Sequence, residues 1–376
     1  MTRFVSTTTA ATRAAALALA AALVSATPAL PASLSTSAGP VQVEAVATGL
    51  TEPWAIGFLP DGGALITERA GRLLMLKDGA LSEVSGIPTV ADVGQGGLLD
   101  ILVPSDFAQT REVFLSYAKP QGGGEGTALL RARLSDDGTA LTDVTTIYEI
   151  AEGSSGGRHF GSRIVEAPDG TLFLTVGDRG DRPSAQDLRR ENGSVLRVAR
   201  DGSIPDDNPF VGQADARPAI WSYGHRNPQG AQLDLDGDIV TVEHGAQGGD
   251  EINRIERGAN YGWPVISYGR HYSGQPIGVG TAAEGLEQPA FYWDPSMAPS
   301  GMMVYSGALW PDWRGDIFVG SLKFDYIARL DGDPLAEVEQ IQSDETLRVR
   351  DVREAPDGSI WFLSVGNGAA YRMTPG

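Results

Sequence analysis

The chain has 376 residues, no cysteine, and 48 acidic against 29 basic residues, so its formal net charge at pH 7 is −19. The acidic balance argues against a protein that neutralises nucleic acid backbones. The missing cysteines exclude disulfides, Cys-ligated zinc, iron–sulfur clusters and thiol nucleophiles, so redox chemistry would require a bound cofactor.

The N-terminal segment has the pattern of a secretory signal peptide, predicted at residues 1–26. Two arginines precede an apolar run at residues 14–24, and small residues follow it. The run is about half the ~20 residues that a membrane span requires, so we predict no stable membrane insertion. We expect export to the periplasm or the medium. Residues 27–40, rich in Ala, Ser and Pro, are predicted to be a flexible lead-in to a single domain at 41–376.

Beyond that point, short β-branched and aromatic runs alternate with clusters of Gly, Pro, Asp and Asn. An acidic turn followed by a strand recurs six times, with turns at residues 60–62, 105–106, 168–170, 236–238, 314–316 and 356–358. One hairpin cannot bury both of its faces alone, so neighbouring copies must cover it. This pattern predicts an all-β fold, specifically a six-bladed β-propeller. A large β-sandwich or a pair of β domains is the alternative.

In a propeller, the loops at one end of the blades converge on a central channel. The glycine-rich segment 156–163 contains His159, whose side-chain type suits proton abstraction near neutral pH. Asp178 follows the predicted strand at 172–176, where a carboxylate can orient that histidine. A backbone-bonded loop histidine and an ordinary turn aspartate are the competing interpretations.

Two further segments carry candidate binding groups. Residues 221–230 place Arg226 beside Asn227, which suits recognition of carboxylate and carbonyl oxygens; a buried ion pair is the alternative. Residues 243–253 offer glycine-turn carbonyls and carboxylates, the hard oxygen ligands that calcium prefers; a tight turn is the alternative.

Three more cations lie near the C-terminus. Lys323 ends one strand region, and Arg348 and Arg350 begin another. At i and i+2 in extended chain, the two arginines would share a face and reach one anion. Surface salt bridges are the alternative.

Taken together and in this order, these segments resemble the soluble pyrroloquinoline quinone (PQQ)-dependent glucose and aldose sugar dehydrogenases. The resemblance runs from about residue 50 to residue 371. The motifs that carry it lie at residues 94–99, 158–161, 224–230, 249–253 with 261–264, and 348–351.

The resemblance implies a six-bladed propeller that holds PQQ and Ca²⁺ over its channel and oxidises the anomeric carbon of aldose sugars to lactones. His159 matches the general base, Asp178 its orienting carboxylate, and Arg226 the cation beside the reacting quinone oxygens. The positions that match cofactor-holding residues are Gln95, Arg226, Asn227, Lys323, Arg348 and Arg350. Backbone carbonyls of Gly245 and Ala246 match the ligands of the cofactor-side calcium, and Glu251 and Tyr261 match part of a second, structural calcium site.

The chain departs from the family pattern in three ways. Arg158 stands where the glucose dehydrogenase branch carries an acid, Ala246 stands where proline is common in the family, and the inserts of the dimeric glucose dehydrogenase branch are missing. The resemblance therefore favours the aldose sugar dehydrogenase branch, with a broader sugar range, a monomeric state and an unidentified electron acceptor.

Two other functions remain open. A calcium-dependent lactonase-type propeller hydrolase would need carboxylate and amide ligands in the channel, and would have no use for Lys323 with Arg348 and Arg350. A non-catalytic sugar-binding propeller would leave His159 and Asp178 without a role.

Overall fold

The computed structural model describes residues 1–2 and 32–376, and nearly all of its regular structure is β-strand. The predicted signal peptide therefore lies outside the described residues, apart from Met1 and Thr2. Within the described ranges, no helix combines the length and hydropathy needed to cross a membrane.

The strands form six antiparallel sheets. Blade one contains β3 (Pro53–Phe58), β4 (Ala64–Glu68), β5 (Arg72–Lys77) and β6 (Ala80–Val84). Blade two contains β7 (Leu98–Leu102), β8 (Glu112–Gln121), β9 (Gly124–Leu134) and β10 (Leu141–Glu149). Blade three contains β11 (Ile164–Glu166), β12 (Leu172–Val176), β13 (Ser194–Val198) and β14 (Ile220–Tyr223).

Blades four to six continue in the same way. Blade four contains β15 (Pro228–Leu233), β16 (Ile239–Glu243), β17 (Asp250–Arg254) and β18 (Phe291–Trp293). Blade five contains β19 (Pro299–Val304), β20 (Ile317–Ser321), β21 (Tyr326–Asp331) and β22 (Ala336–Gln342). Blade six contains β23 (Val349–Glu354), β24 (Ile360–Ser364) and β25 (Ala369–Pro375), joined by β1 (Ala32–Thr36) and β2 (Gly39–Thr48). Among residues 32–376, helix is limited to α1 (Phe107–Thr110) and 3₁₀ turns at Arg182–Gln186, Pro311–Trp313 and Asp344–Thr346.

Each of the six recurring acidic turns joins the first strand of a blade to its second strand. The first strands contact one another in a closed ring, from β3 through β7, β11, β15, β19 and β23 back to β3. An apolar cluster fills each junction between neighbouring blades. The chain is therefore a six-bladed β-propeller, as the turn pattern predicted, and not a sandwich or a pair of β domains.

The N-terminal strands close the ring, because β2 pairs with β25 of the last blade. The prediction of a flexible lead-in was wrong for residues 32–40, where β1 pairs with β2 and Leu34 lies opposite Val41. Both side chains pack on the core of the sixth blade. Composition alone misled here, because the alternation of small polar and apolar residues has the two-residue period of a strand.

A buried ionic cluster crosses the centre of the ring. Arg163 lies 3.1 Å from both Asp100 and Asp351, and Arg353 bonds the same two carboxylates at 2.9 and 3.1 Å. The cluster joins the first strands of blades two, three and six. Such a closed, alternating set satisfies charges that would be costly to bury singly.

Candidate active site

The loop that carries His159 lies between β10 and β11 and is held in an unusual backbone conformation. His159 has φ 53°, in the left-handed region. Its N–H donates to Gln95 Oε1 at 2.7 Å, and the Gln95 N–H donates to the carbonyl of Gly157 at 2.7 Å. A Cβ at Gly94 would collide with that same carbonyl, so glycine is required for the close approach. Gln95 therefore fixes the position of the histidine.

The imidazole of His159 pairs with a buried carboxylate. Its Nδ1 lies 2.6 Å from Asp178 Oδ1, which also accepts the Gly180 N–H at 2.7 Å. Trp263 Nε1 donates to the second oxygen of Asp178 at 2.8 Å. Within the described chain, His159 Nε2 has no hydrogen-bond partner, and the histidine side chain is 13% exposed. This is the geometry of an oriented base with one free nitrogen.

The charge environment keeps that base neutral. Burial lowers the pKa of His159; Asp178 opposes the shift, while the positive charges of Arg226 and Arg158 add to it. Burial acts to raise the pKa of Asp178, but hydrogen bonds from His159 and Gly180 lower it overall. At neutral pH, Asp178 is therefore ionised and holds the Nδ1 proton, which leaves the Nε2 lone pair free.

Arg226 and Asn227 stand on a loop that Glu243 anchors. The Glu243 carboxylate accepts the N–H groups of Arg226 and Asn227 at 2.6 and 3.3 Å, and it also bonds His225 at 2.8 Å. Asn227 Oδ1 accepts the Gly161 N–H at 3.1 Å, which ties this loop to the His159 loop. The two loops therefore form one hydrogen-bonded unit.

The Arg226 side chain is buried and incompletely paired. Its Nη1 donates to the carbonyl of His244 at 3.1 Å, and its guanidinium carbon lies 5.4 Å from the Trp263 ring centre. Its Nε is buried, with no hydrogen-bond partner in the described chain. Burial lowers the pKa of Arg226 because the charge has lost water without gaining an adjacent carboxylate.

Most arginines and lysines of the described chain lie within 4 Å of a carboxylate, but the predicted cofactor-binding cations do not. Lys323 donates to the carbonyl of Ser296 at 3.1 Å, Arg348 to the carbonyl of Leu322 at 3.1 Å, and Arg350 to Gln229 Oε1 at 2.9 Å. All three partners are neutral. Among the described residues, these three cations therefore lack a carboxylate partner, although the protein has a formal net charge of −19.

Arg350 is the most deeply buried of these three cations. Burial lowers its pKa to about 9, and the like charges of Arg348 and Arg163 contribute to that shift. The prediction that Arg348 and Arg350 share a face of extended chain was wrong. Arg348 has φ 50° and precedes β23. The two guanidiniums interact electrostatically, but alternation along a strand does not place them.

The segment after β16 contains the predicted calcium ligands. The Gly245 carbonyl accepts no hydrogen bond within the described chain, and the Ala246 carbonyl accepts the Arg270 N–H at 2.8 Å. The Gly245 N–H is bound by Asp250 Oδ1 at 2.8 Å. Among the described residues, no group of three or more His, Asp or Glu side chains is placed to hold a metal ion.

Glu251 and Tyr261 line one small cavity, together with Arg226 and Glu243. Glu251 lies directly opposite Glu243 in the pairing of β16 with β17. Burial, and then the charge of Glu243, raise the pKa of Glu251 well above its ordinary value. The Tyr261 hydroxyl donates to the carbonyl of Arg254 at 2.5 Å. If Tyr261 binds a calcium ion, the ligand atom would therefore be its backbone carbonyl oxygen.

Two residues of the site lay within the sequence motifs but carried no predicted role. Trp263 joins Asp178 to Arg226, as described above. His244 has a buried Nε2 without a partner in the described chain, and burial, followed by the charges of Arg226 and Arg350, holds its pKa well below its ordinary value. In the sequence, Trp263 was recognisable as the aromatic residue of the 261–264 motif, and His244 as the histidine that directly follows β16.

The structure thus joins Gln95, His159, Asp178, Arg226 and Asn227 through a continuous set of hydrogen bonds, with the unpaired cations beside them. A larger cavity, of about 620 Å³, opens where the first strands end, at the other end of the channel. None of the predicted site residues lines it.

Comparison with known proteins identifies the family. The family model described as "Glucose / Sorbosone dehydrogenase" matches residues 50–372. The chain is 42% identical to aldose sugar dehydrogenase YliI of Escherichia coli K12, over 89% of this chain and 93% of the relative.

Two solved structures share the architecture. The apo form of the soluble aldose sugar dehydrogenase from Escherichia coli has a TM-score of 0.86 at 42% identity, covering 89% of this chain and 100% of that one. The PQQ-bound aldose sugar dehydrogenase from Streptomyces coelicolor has a TM-score of 0.73 at 26% identity, covering 91% and 100%. The chain therefore belongs to the glucose/sorbosone dehydrogenase family of oxidoreductases.

Proposed function

We propose that the protein is an exported, monomeric, PQQ- and calcium-dependent dehydrogenase that oxidises the anomeric carbon of aldose sugars to lactones. The observation that carries this proposal is the His159–Asp178 pair, with a free Nε2, beside cations that lack carboxylate partners. The PQQ-bound relative and the aldose sugar dehydrogenase relative support the same assignment.

The residues present fit PQQ, which carries three carboxylates and a quinone. Arg226 has an orphaned, buried Nε, and Arg350 is desolvated without an anion, so both gain from a carboxylate or a quinone oxygen. The residues that would hold the cofactor are Gln95, Arg226, Asn227, Lys323, Arg348 and Arg350. When bound, PQQ supplies a quinone that accepts the hydride from the sugar.

Calcium fits two places in the same blade. The carbonyls of Gly245 and Ala246 are hard oxygen ligands that directly follow His244, whose own carbonyl accepts a hydrogen bond from Arg226. Glu251, with the carbonyl of Tyr261, would hold the second ion. Two carboxylates directly opposite each other on neighbouring strands repel, so a cation at Glu251 and Glu243 would relieve that repulsion.

Each of these side chains then has its own role in the reaction. His159 Nε2 accepts the proton of the anomeric hydroxyl, and Asp178 holds the ring in the required tautomer and stabilises the imidazolium. Arg226 stabilises the negative charge that develops where the hydride is accepted. Burial of the site strengthens this interaction. Trp263 contacts both Asp178 and Arg226 and so holds the two side chains in fixed relative positions.

Reconstitution tests the assignment. Purified apoprotein is incubated with PQQ and Ca²⁺, and reduction of an artificial electron acceptor is followed with glucose and other aldoses. We expect dye reduction that requires PQQ, Ca²⁺ and sugar together and that is lost on chelation. No PQQ-dependent reduction with any aldose would refute the dehydrogenase proposal.

The same assay separates the alternatives. A lactonase-type hydrolase would open lactones with calcium alone, and the described chain lacks the multi-carboxylate cluster that such a site uses. A binding propeller would retain sugar without turnover.

Arg350→Ala is expected to weaken PQQ binding about 10- to 100-fold, because one charge-assisted contact is lost. The measurement is equilibrium titration of apoprotein with PQQ at fixed Ca²⁺. Arg133→Ala is the matched control, since Arg133 is an exposed arginine of β9 that also lacks a carboxylate within 4 Å in the described chain. Equal PQQ affinity in both variants would contradict the role of Arg350.

A further inference from the structure

Two arginines near the base, Arg158 and Arg182, are not among the residues proposed to hold the cofactor. Arg158 directly precedes His159, and its carbonyl accepts a hydrogen bond from Arg179 Nη1. The N–H of the same peptide unit, that of His159, is held by Gln95, so two hydrogen bonds fix the peptide that follows the Arg158 Cα. The side chain itself is exposed.

The stem of Arg158 packs against the turn that orients the base. A Cβ built at Gly180 would lie 3.0 Å from Arg158 Cδ, so the side chain lies directly over that glycine. Gly180 also donates its N–H to Asp178. Arg158 and His159 therefore both contact the turn formed by residues 178–180. This contact keeps the Arg158 guanidinium near the base.

Arg182 approaches the same pair through Trp263. It begins the 3₁₀ turn Arg182–Gln186, its Nη1 lies 2.8 Å from His271 Nδ1, and its guanidinium carbon lies 5.2 Å from the Trp263 ring centre. Trp263 donates to Asp178, the partner of His159. Both arginines thus lie close to the His159–Asp178 pair, Arg158 beside the histidine and Arg182 by way of Trp263.

Neither arginine has a carboxylate within 4 Å in the described part of the chain. The nearby acids are already engaged: Asp178 with His159 at 2.6 Å, Asp181 with Arg190 at 2.9 Å, and Glu125 with Arg179 at 3.0 Å. Neither guanidinium is therefore neutralised by a carboxylate of the described chain. They are also distinct from the cations assigned to the cofactor.

We propose that Arg158 and Arg182 form an anion subsite for the substrate, and that the substrates include aldoses that carry a carboxylate, namely uronic acids. This inference rests on the proposed function. Planar guanidiniums match carboxylate geometry. In a hexuronic acid the carboxyl-bearing C5 is joined to the anomeric carbon through the ring oxygen, so the carboxylate lies near the anomeric hydroxyl that His159 deprotonates and on the side where guanidiniums beside the base could bind it. The carboxylate is unchanged in the reaction, and the product is the lactone of a dicarboxylic sugar acid.

The test compares matched sugar pairs. The kcat/KM values for glucuronate and glucose, and for galacturonate and galactose, are measured in the same assay with the same electron acceptor. We expect Arg158→Ala and Arg182→Ala each to lower the uronate-to-neutral ratio about tenfold, and Arg133→Ala to leave it unchanged. Added salt should lower the ratio in the unmodified protein, because the proposed contact is partly exposed.

A ratio that stays constant while both values fall would overturn the inference, because it would assign the arginines to the electron acceptor or to general steering. Neutral sugars oxidised without any uronate turnover would overturn it as well, while leaving the proposed function intact. If neither sugar is oxidised, the proposed function itself fails.

Binding provides a readout independent of turnover. Calorimetric titration of glucuronate and glucose is done with PQQ-loaded His159→Ala protein, in which bound sugar is not consumed. We expect tighter binding of glucuronate than glucose, and loss of that preference in the Arg158→Ala/His159→Ala protein. Equal affinities for the two sugars would refute the subsite.

Discussion

His159→Ala is expected to lower kcat about 10³-fold while PQQ binding is retained. The imidazole contributes the only unpaired basic nitrogen that the described structure places beside Asp178, and general base catalysis supplies about 10²- to 10⁴-fold. Its cofactor-side neighbours, Gln95 and Asn227, are held by backbone groups of the loop rather than by the imidazole. The measurements are steady-state kcat and PQQ titration on the same preparation.

A second substitution sharpens this result. His159→Gln retains a hydrogen-bonding side chain opposite Asp178 but lacks a base, so it should be as inactive as His159→Ala. Restored turnover in the glutamine variant, or loss of PQQ with normal activity per bound cofactor, would contradict the base assignment.

The pH profile provides a further check. A base acts when neutral, and burial lowers the pKa of His159 from 6.5, so the acid limb of kcat/KM should have its midpoint below pH 6.5. Arg158→Ala removes a like charge, which raises that pKa and moves the limb to higher pH. A limb unaffected by Arg158→Ala would show that another group controls it.

Asp178→Asn is expected to lower kcat about 10²- to 10⁴-fold without unfolding the protein. The carboxylate holds the proton on His159 Nδ1; an amide of the same shape favours the other tautomer and cannot stabilise the imidazolium. It also removes the negative charge that opposes the lowered pKa of His159, so the acid limb should move to lower pH.

The matched control for this substitution is Asp181→Asn. Asp181 is three residues away, is exposed and pairs with Arg190, so its loss should change kcat less than twofold. Thermal unfolding of both variants separates a catalytic defect from a folding defect. Equal kcat values for the Asp178 and Asp181 variants would rule out an orienting role for Asp178.

Most of the architecture was predictable because its signals are local. Acidic turns followed by short β-branched and aromatic runs predicted the second strand of every blade, and their six-fold recurrence predicted the ring. Residues 32–40 were mispredicted because a strand rich in small residues has a weak local signal. β1 pairs with β2, and β2 in turn pairs with β25, more than 300 residues away in the chain, so the position of β1 depends on closure of the ring.

The site divides in the same way. Sequence motifs identified His159, Asp178 and Arg226 as candidates, because chemistry-bearing residues in glycine-rich loops are recognisable from short segments. Their relations depend on the closed ring: Trp263 reaches Asp178 across 85 positions in the chain, and Glu243 sets the loop that carries Arg226. The left-handed backbone at Arg348 and the lack, within residues 32–376, of a carboxylate beside Arg158 and Arg182 likewise follow from packing between blades. Local propensity specifies strands and turns, whereas the partners of a side chain are set only when distant blades meet.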